Sequence, residues 1–216
     1  MLGCSRKEPE AAPTAPPQLG TEPAPILRKD DARRAIVALG DSISAGFGVP
    51  QGQSFPDHLQ RELDRRNLRY RVVNAGISGD TTSGGLSRLD SVLAHKPEMV
   101  IVELGGNDGL RGLPISATRR NLEQIVERLQ KAGVQVVLAG MTLPPNYGPD
   151  YIRSFEQVYK DLARKYDVTL IPFLLEGVAA TEFMQTDGIH PTSEGHRKVA
   201  EIVSRTIGPL LTQPDK

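Results

Sequence analysis

Ser42 lies in Gly40-Asp41-Ser42-Ile43-Ser44, directly after the apolar run Ala35-Ile36-Val37-Ala38-Leu39, and Gly46 and Gly48 follow closely. A serine between an aspartate and glycines can mark a tight turn, cradle a phosphate or attack a carbonyl. The phosphate reading fails in detail. A Walker-type loop needs Gly-Lys followed by Ser or Thr, and no lysine occurs between Asp31 and Lys96. A dinucleotide fingerprint would need a third glycine at position 51, which is Gln51. Turn chemistry accounts for the glycines themselves, and a nucleophile needs partners from elsewhere in the chain.

Those partners are a base, a group that orients the base, and donors for an oxyanion. Four histidines are available. His58 and His196 fall inside helical stretches and His95 at the end of one, where a surface or core role is the commoner one. His190 stands in Thr186-Asp187-Gly188-Ile189-His190-Pro191, and Pro191 biases it away from helical geometry. Asp187 can reach around the Gly188 turn to one ring nitrogen and leave the other for Ser42. Read alone, Asp-x-x-His is weak, and a turn aspartate beside a satisfied histidine is its commoner explanation. Gly79, in the stretch Asn74 to Asp80, offers a backbone N–H with no side chain in the way, and Asn107, after Gly105-Gly106, offers a side-chain amide. Each also reads as ordinary turn chemistry.

What would gather these residues is the scaffold between them. Ala35 to Leu39, Tyr70 to Val73, Met99 to Leu104, Val134 to Ala139 and Val168 to Phe173 read as five strands, the central ones almost wholly apolar, as strands covered on both faces are. Between them run helical stripes: Phe55, Leu59 and Leu63; Leu86, Leu89 and Leu93; Leu122, Ile125, Val126 and Leu129; Phe155, Val158, Tyr159, Leu162 and Tyr166. Val199, Ile202, Val203 and Ile207 form the last. Strict β-α alternation with crossovers this long predicts an α/β fold, a five-stranded parallel sheet with helices on both faces. Ligands of such sheets bind beyond the carboxyl ends of the strands. The loops there run from Gly40 to Gly48, Asn74 to Ser83, Gly105 to Leu113, Gly140 to Tyr151 and Leu174 to Pro191, and Ser42, Gly79, Asn107, Asp187 and His190 all fall within them.

The chain of 216 residues is sized for one domain and a tail. Lys plus Arg and Asp plus Glu number 26 each, so charge argues for no nucleic-acid partner. Arg61, Arg65, Arg66, Arg69 and Arg71 cluster, but Glu62 and Asp64 interrupt them as on a solvated helix face. Residues 1–30 are expected to be a disordered Pro/Ala-rich tail, with the folded domain over residues 31–216. Cys4 is the only cysteine, which excludes an internal disulfide and a cysteine zinc cluster. Met1-Leu2-Gly3-Cys4 resembles the end of a bacterial lipoprotein signal. With a start upstream, the protein is exported, periplasmic and anchored to the membrane through Cys4; with Met1 as the true start, Cys4 is an ordinary tail residue of a cytoplasmic protein. No run of 18 apolar residues occurs.

Gly40-Asp41-Ser42-Ile43-Ser44, Gly79, Asn107 and Asp187-Gly188-Ile189-His190 resemble, in order and context, the four blocks of the SGNH, or GDSL, hydrolase superfamily. The stretches Val72 to Ala75, Ile77 to Thr81, Val102 to Gly112, Leu143-Pro144 and Asn146-Tyr147-Gly148 are similar to its bacterial thioesterase I/protease I/lysophospholipase L1, or arylesterase, group. The resemblance spans about Ala35 to Leu211. It implies a flavodoxin-like three-layer α/β/α fold and a triad of Ser42 as nucleophile, His190 as base and then acid, and Asp187 as the group that orients it. It also implies an oxyanion hole of the Ser42 N–H, the Gly79 N–H and the Asn107 side chain. Neither cofactor nor metal is implied, and no protein partner. Gly76 and Gly84-Gly85 depart from the pattern and are expected to loosen the second loop. The larger α/β-hydrolase fold fits less well, because its elbow is Gly-x-Ser-x-Gly and Ser44 stands where its second glycine would be.

The expected activity is hydrolysis of small-molecule esters and thioesters through an acyl-enzyme. Leu110, Leu143 and Pro144, with Leu113, Met141 and Pro145 nearby, are expected to line an apolar acyl groove. A carbohydrate O-deacetylase is the alternative within the enzyme class. A non-catalytic acyl- or glycan-binding protein on the same scaffold is the alternative outside it.

Overall fold

The computed structural model describes residues 31–211; the expectations for the tail and for Cys4 lie outside the described residues. Five strands, β1 (Arg34–Gly40), β2 (Tyr70–Gly76), β3 (Pro97–Glu103), β4 (Gln135–Ala139) and β5 (Thr169–Ile171), form one sheet. All of its pairings are parallel and its order is β2-β1-β3-β4-β5. Strand order reverses beside β1, so a crevice opens between the carboxyl ends of β1 and β3. The two inner strands are apolar on both faces: Ile36, Val37, Ala38, Leu39, Val100, Ile101 and Val102 are wholly buried.

Eight helices lie among the described residues. α2 (Phe55–Arg65) and α8 (Ser193–Ile207) pack on each other, α2 also on β2. α3 (Thr82–Ser87), α6 (Ile115–Lys131) and α7 (Pro149–Tyr166) form a second packed group. The crossover from β1 to β2 runs one way along the sheet and those from β2 to β3, β3 to β4 and β4 to β5 run the other, so right-handed connections put these two groups on opposite faces. The periodicity shows in the burial. Phe55, Leu59 and Leu63 of α2 face inward, as do Leu122, Ile125, Val126 and Leu129 of α6 and Val199, Val203 and Ile207 of α8. The Ser54 hydroxyl and Asp57 close a capping box at the start of α2, which fixes where the loop after β1 ends.

Three details depart from expectation. The stripe Leu86, Leu89, Leu93 is not one helix: α3 stops and α4 (Leu89–Leu93) starts at Arg88. Two loops at the carboxyl ends hold single helical turns, α1 (Ser42–Ala45) and α5 (Gly106–Leu110), too short to carry a periodic signal. The glycines expected to loosen the second loop instead tighten it. A Cβ at Gly76 would lie 2.3 Å from the Ala45 nitrogen, at Gly84 1.8 Å from Asp80 Oδ1, and at Gly85 2.2 Å from Leu104 Cδ1. These glycines let backbone and side chains approach where no side chain fits.

Candidate active site

Ser42 opens α1 at the carboxyl end of β1, and the turn beneath it is held by a residue on β3. Glu103 Oε2 accepts from the Asp41 N–H (3.1 Å), the Ser44 N–H (3.1 Å) and the Ser44 hydroxyl (2.7 Å). Asp41 caps the turn in its own right, Oδ1 accepting from the Ile43 N–H at 3.1 Å. Gly40 leaves space for this arrangement, since a Cβ there would stand 2.0 Å from Ser44 Oγ and 2.3 Å from Glu103 Oε2. Burial raises the Asp41 carboxyl, while hydrogen bonds from Ile43, Glu103 and Asn107 oppose it. Burial, then the charge of Asp41, pushes Glu103 well above the usual carboxylate range. Two carboxyls so placed resist both being charged at once.

His190 arrives on the loop between β5 and α8. Its Nε2 lies 2.8 Å from Ser42 Oγ and its Nδ1 2.6 Å from Asp187 Oδ2. Asp187 Oδ1 meanwhile accepts from the N–H groups of Ile189 (2.9 Å) and His190 (3.0 Å), so one carboxylate fixes both the ring and the turn that bears it. Partial desolvation raises the Asp187 carboxyl, but the His190 ring and these two N–H groups outweigh it and bring it down to about 2. An ionised Asp187 assigns the proton on the imidazole to Nδ1 and leaves Nε2 free to accept from the Ser42 hydroxyl. The loop is clamped to the turn that follows α1. Gln185 Nε2 donates to the Phe47 carbonyl at 2.8 Å and the Pro191 carbonyl at 2.9 Å, and the Phe47 ring lies 4.6 Å from the His190 ring.

The donors expected for an oxyanion are placed unevenly. Asn107 is beside the serine turn, but its Nδ2 donates to Asp41 Oδ2 (3.0 Å) and to the Asp80 carbonyl (2.9 Å). Gly79 sits at the exposed tip of the loop after β2 with φ +82°, and its carbonyl accepts from Arg111 Nη2 at 2.8 Å. It does not line the cavity over Ser42 and His190. No hydrogen bond among the described residues uses the Ser42 or Gly79 N–H.

A cavity of about 660 Å³ opens over Ser42 and His190. Leu110, Leu143 and Pro144 line it, with Met141 and Pro145, whereas Leu113 stands outside with its side chain partly in solvent. A second wall was not foreseen: Phe173, Leu175, Ala179, Ala180, Met184 and Ile189, from the segment after β5. Its apolar residues sit in a loop too irregular to show a period, and only Asp187 and His190 stand out there. Glu103 was also unforeseen as a site residue. The signal for it is an acid closing the apolar run Met99 to Val102. Among the described residues no group of three or more His, Cys, Asp and Glu side chains is spaced to hold a metal ion.

A serine, an imidazole and a carboxylate joined in this order at the carboxyl edge of a parallel sheet define the class of serine hydrolases. A family model described as the GDSL-like lipase/acylhydrolase family matches residues 38–198, and the chain belongs to that family. It is 44% identical over 188 residues to the esterase TesA of Pseudomonas aeruginosa, across 86% of this chain and 94% of that one. It is 40% identical over 182 residues to thioesterase 1/protease 1/lysophospholipase L1 of Escherichia coli K12, across 83% and 86% of the two chains. The crystal structure of TesA superposes with a TM-score of 0.80 at 45% identity, covering 82% of this chain and all of that one.

Proposed function

We propose that the protein is a serine esterase and thioesterase in which Ser42 is the nucleophile, His190 the base and then acid, and Asp187 the group that orients the imidazole. The observation that carries this reading is the unbroken relay from Asp187 Oδ2 through the ring to Ser42 Oγ, at 2.6 and 2.8 Å. As Ser42 Oγ attacks the acyl carbonyl, its proton passes to His190 Nε2. The imidazolium that forms faces the Asp187 carboxylate, and the proton then goes to the departing alcohol or thiol. Water attacks the acyl-enzyme in turn, giving a proton to the same nitrogen, and the carboxylic acid leaves.

The oxyanion falls to the free N–H groups of Ser42 and Gly79 and to Asn107. The Asn107 amide must loosen one of its two present bonds to serve. The two apolar walls favour an acyl chain over a sugar, which supports an acyl esterase over a carbohydrate deacetylase. The relatives' names, esterase, thioesterase 1 and lysophospholipase L1, agree with that substrate class.

Purified Ser42→Ala should lose turnover and fluorophosphonate labelling while keeping its fold. Full turnover by that variant overturns the assignment. A chain-length series of p-nitrophenyl esters, with an acyl thioester and acetylated xylan alongside, reads the substrate class: turnover should rise with acyl length and be negligible on xylan. Export and anchoring through Cys4, with residues 5–30 as spacer, complete the proposal. Its support is Met1-Leu2-Gly3-Cys4 and the proline-rich segment after it. Metabolic labelling with a palmitate analogue, lost in Cys4→Ser, tests it.

A further inference from the structure

One guanidinium joins the loops that carry Ser42 and Gly79 and, through Asp80, reaches the Asn107 amide. Arg88 stands at the break between α3 and α4, its side chain 17% exposed. Its Nε donates to Asp80 Oδ2 at 2.7 Å, its Nη1 to the Ala75 carbonyl at 2.7 Å and its Nη2 to the Gly40 carbonyl at 2.9 Å. Gly40 ends β1 and leads into Asp41-Ser42. Ala75 is the penultimate residue of β2 and leads towards Gly79. Asp80 follows Gly79 directly, and its carbonyl holds the Asn107 amide. The Gly40 carbonyl also accepts from the Ile77 N–H at 3.1 Å, so the two strand ends are bonded to each other under the same guanidinium.

We propose that Arg88 is a positioning residue for the reaction, fixing the spacing of the Ser42 N–H, the Gly79 N–H and the Asn107 amide around the oxyanion; this rests on the reading of Ser42 above. The chemistry suits the residue type. A planar fork with five donors serves three acceptors in set directions, which a single ammonium does not. The acceptors are two backbone carbonyls where the strand ladder ends, and a carboxylate whose own main chain is the Asn107 anchor. Gly84 completes the arrangement, because the space a Cβ would take there, 1.8 Å from Asp80 Oδ1, is what lets Asp80 lie against α3. An oxyanion donor displaced by a fraction of an ångström loses most of its worth, and the loss falls on the transition state and spares substrate binding.

The test compares Arg88→Ala and Arg88→Lys with Arg119→Ala, which loses only a surface pair with Asp161. The readouts are kcat and KM on a p-nitrophenyl ester, the rate of fluorophosphonate labelling, and thermal unfolding. Arg88→Ala should lower kcat on the order of 100-fold, with KM changed by less than a few-fold and labelling slowed in parallel. Arg88→Lys should recover little of this, whereas added guanidinium ion, at concentrations far below those that unfold the protein, should restore part of kcat in Arg88→Ala and an equal concentration of methylammonium should not. Normal kcat in folded Arg88→Ala overturns the proposal. So does a kcat loss that guanidinium leaves unmoved, or failure of both variants to fold, since either reduces Arg88 to a structural tie. Turnover by Ser42→Ala would instead overturn the underlying mechanism, so the two failures are distinguishable.

Discussion

Acidification should weaken this fold through one buried imidazole, His196 of α8. Its ring is fully buried, and neither nitrogen has a hydrogen-bond partner among the described residues. Burial, then the charges of His58 and His190, lower it from 6.5 to about 4, with Asp57 pulling weakly the other way. The sign follows from the two values. Above pH 6.5 the ring is neutral folded or unfolded and costs nothing. Below that, the unfolded chain takes up a proton that the fold refuses until about pH 4, so stability is lost as pH falls through this window. Between pH 7 and pH 5 the loss from this ring is about 2 kcal/mol. Urea unfolding of wild type and His196→Leu at both pH values measures it. The substitution shifts stability by some constant amount through packing, but the difference between the two pH values should shrink by about 2 kcal/mol. An identical pH dependence in the two proteins refutes the reasoning.

Asp187→Asn should keep the fold and lower kcat by about 10⁴-fold, since an amide stabilises the wrong tautomer and no imidazolium. Because Asp187 is held at about 2, its protonation should contribute nothing to a pH–rate profile until the assay is far more acidic than ordinary esterase conditions; an added ionisation near pH 4 that vanishes in Asp187→Asn would contradict this. Glu103→Ala strands three buried donors, the Asp41 and Ser44 N–H groups and the Ser44 hydroxyl, and should cost at least about 3 kcal/mol in urea unfolding. Glu103→Gln, which keeps an acceptor there, should cost clearly less. Ala179→Phe should push a ring into the cavity and cut turnover of long acyl esters about tenfold more than of acetyl esters, read from the same chain-length series.

The parts of the fold that were legible are those where one residue type repeats at a structural period. Strands β1 and β3 announce themselves as unbroken apolar runs, and α6 as Leu122, Ile125, Val126 and Leu129. Asp187 and His190 were legible as a pair because Gly188 and Pro191 restrict the turn between them. Illegible were contacts made across the sheet. The one local signal for Glu103, an acid closing an apolar run, fits a solvated strand-end acid equally well, yet the side chain is wholly buried under the serine turn, 59 residues away from Ser44 in sequence. Gly84 and Gly85 looked like slack because a glycine states only that a side chain is missing. What presses into the gap, Asp80 and Leu104, is a tertiary fact. Asn107 was read as a donor from its type, but which acceptors already hold its amide depends on where β1 and the Asp80 loop end.

The order of strands divides labour around the mouth of the cavity. Ser42, Gly79 and Asn107 stand on the loops after β1, β2 and β3, and His190 on the loop after β5, but the stretch after β4, Met141 to Pro145, contributes only wall. Natural variation or laboratory diversification confined to that stretch would alter which acyl groups fit while leaving every proton-handling contact in place. Selectivity in this architecture is therefore free to drift between lineages at little cost to the chemistry, and a library built there is the economical starting point for changing what the enzyme accepts.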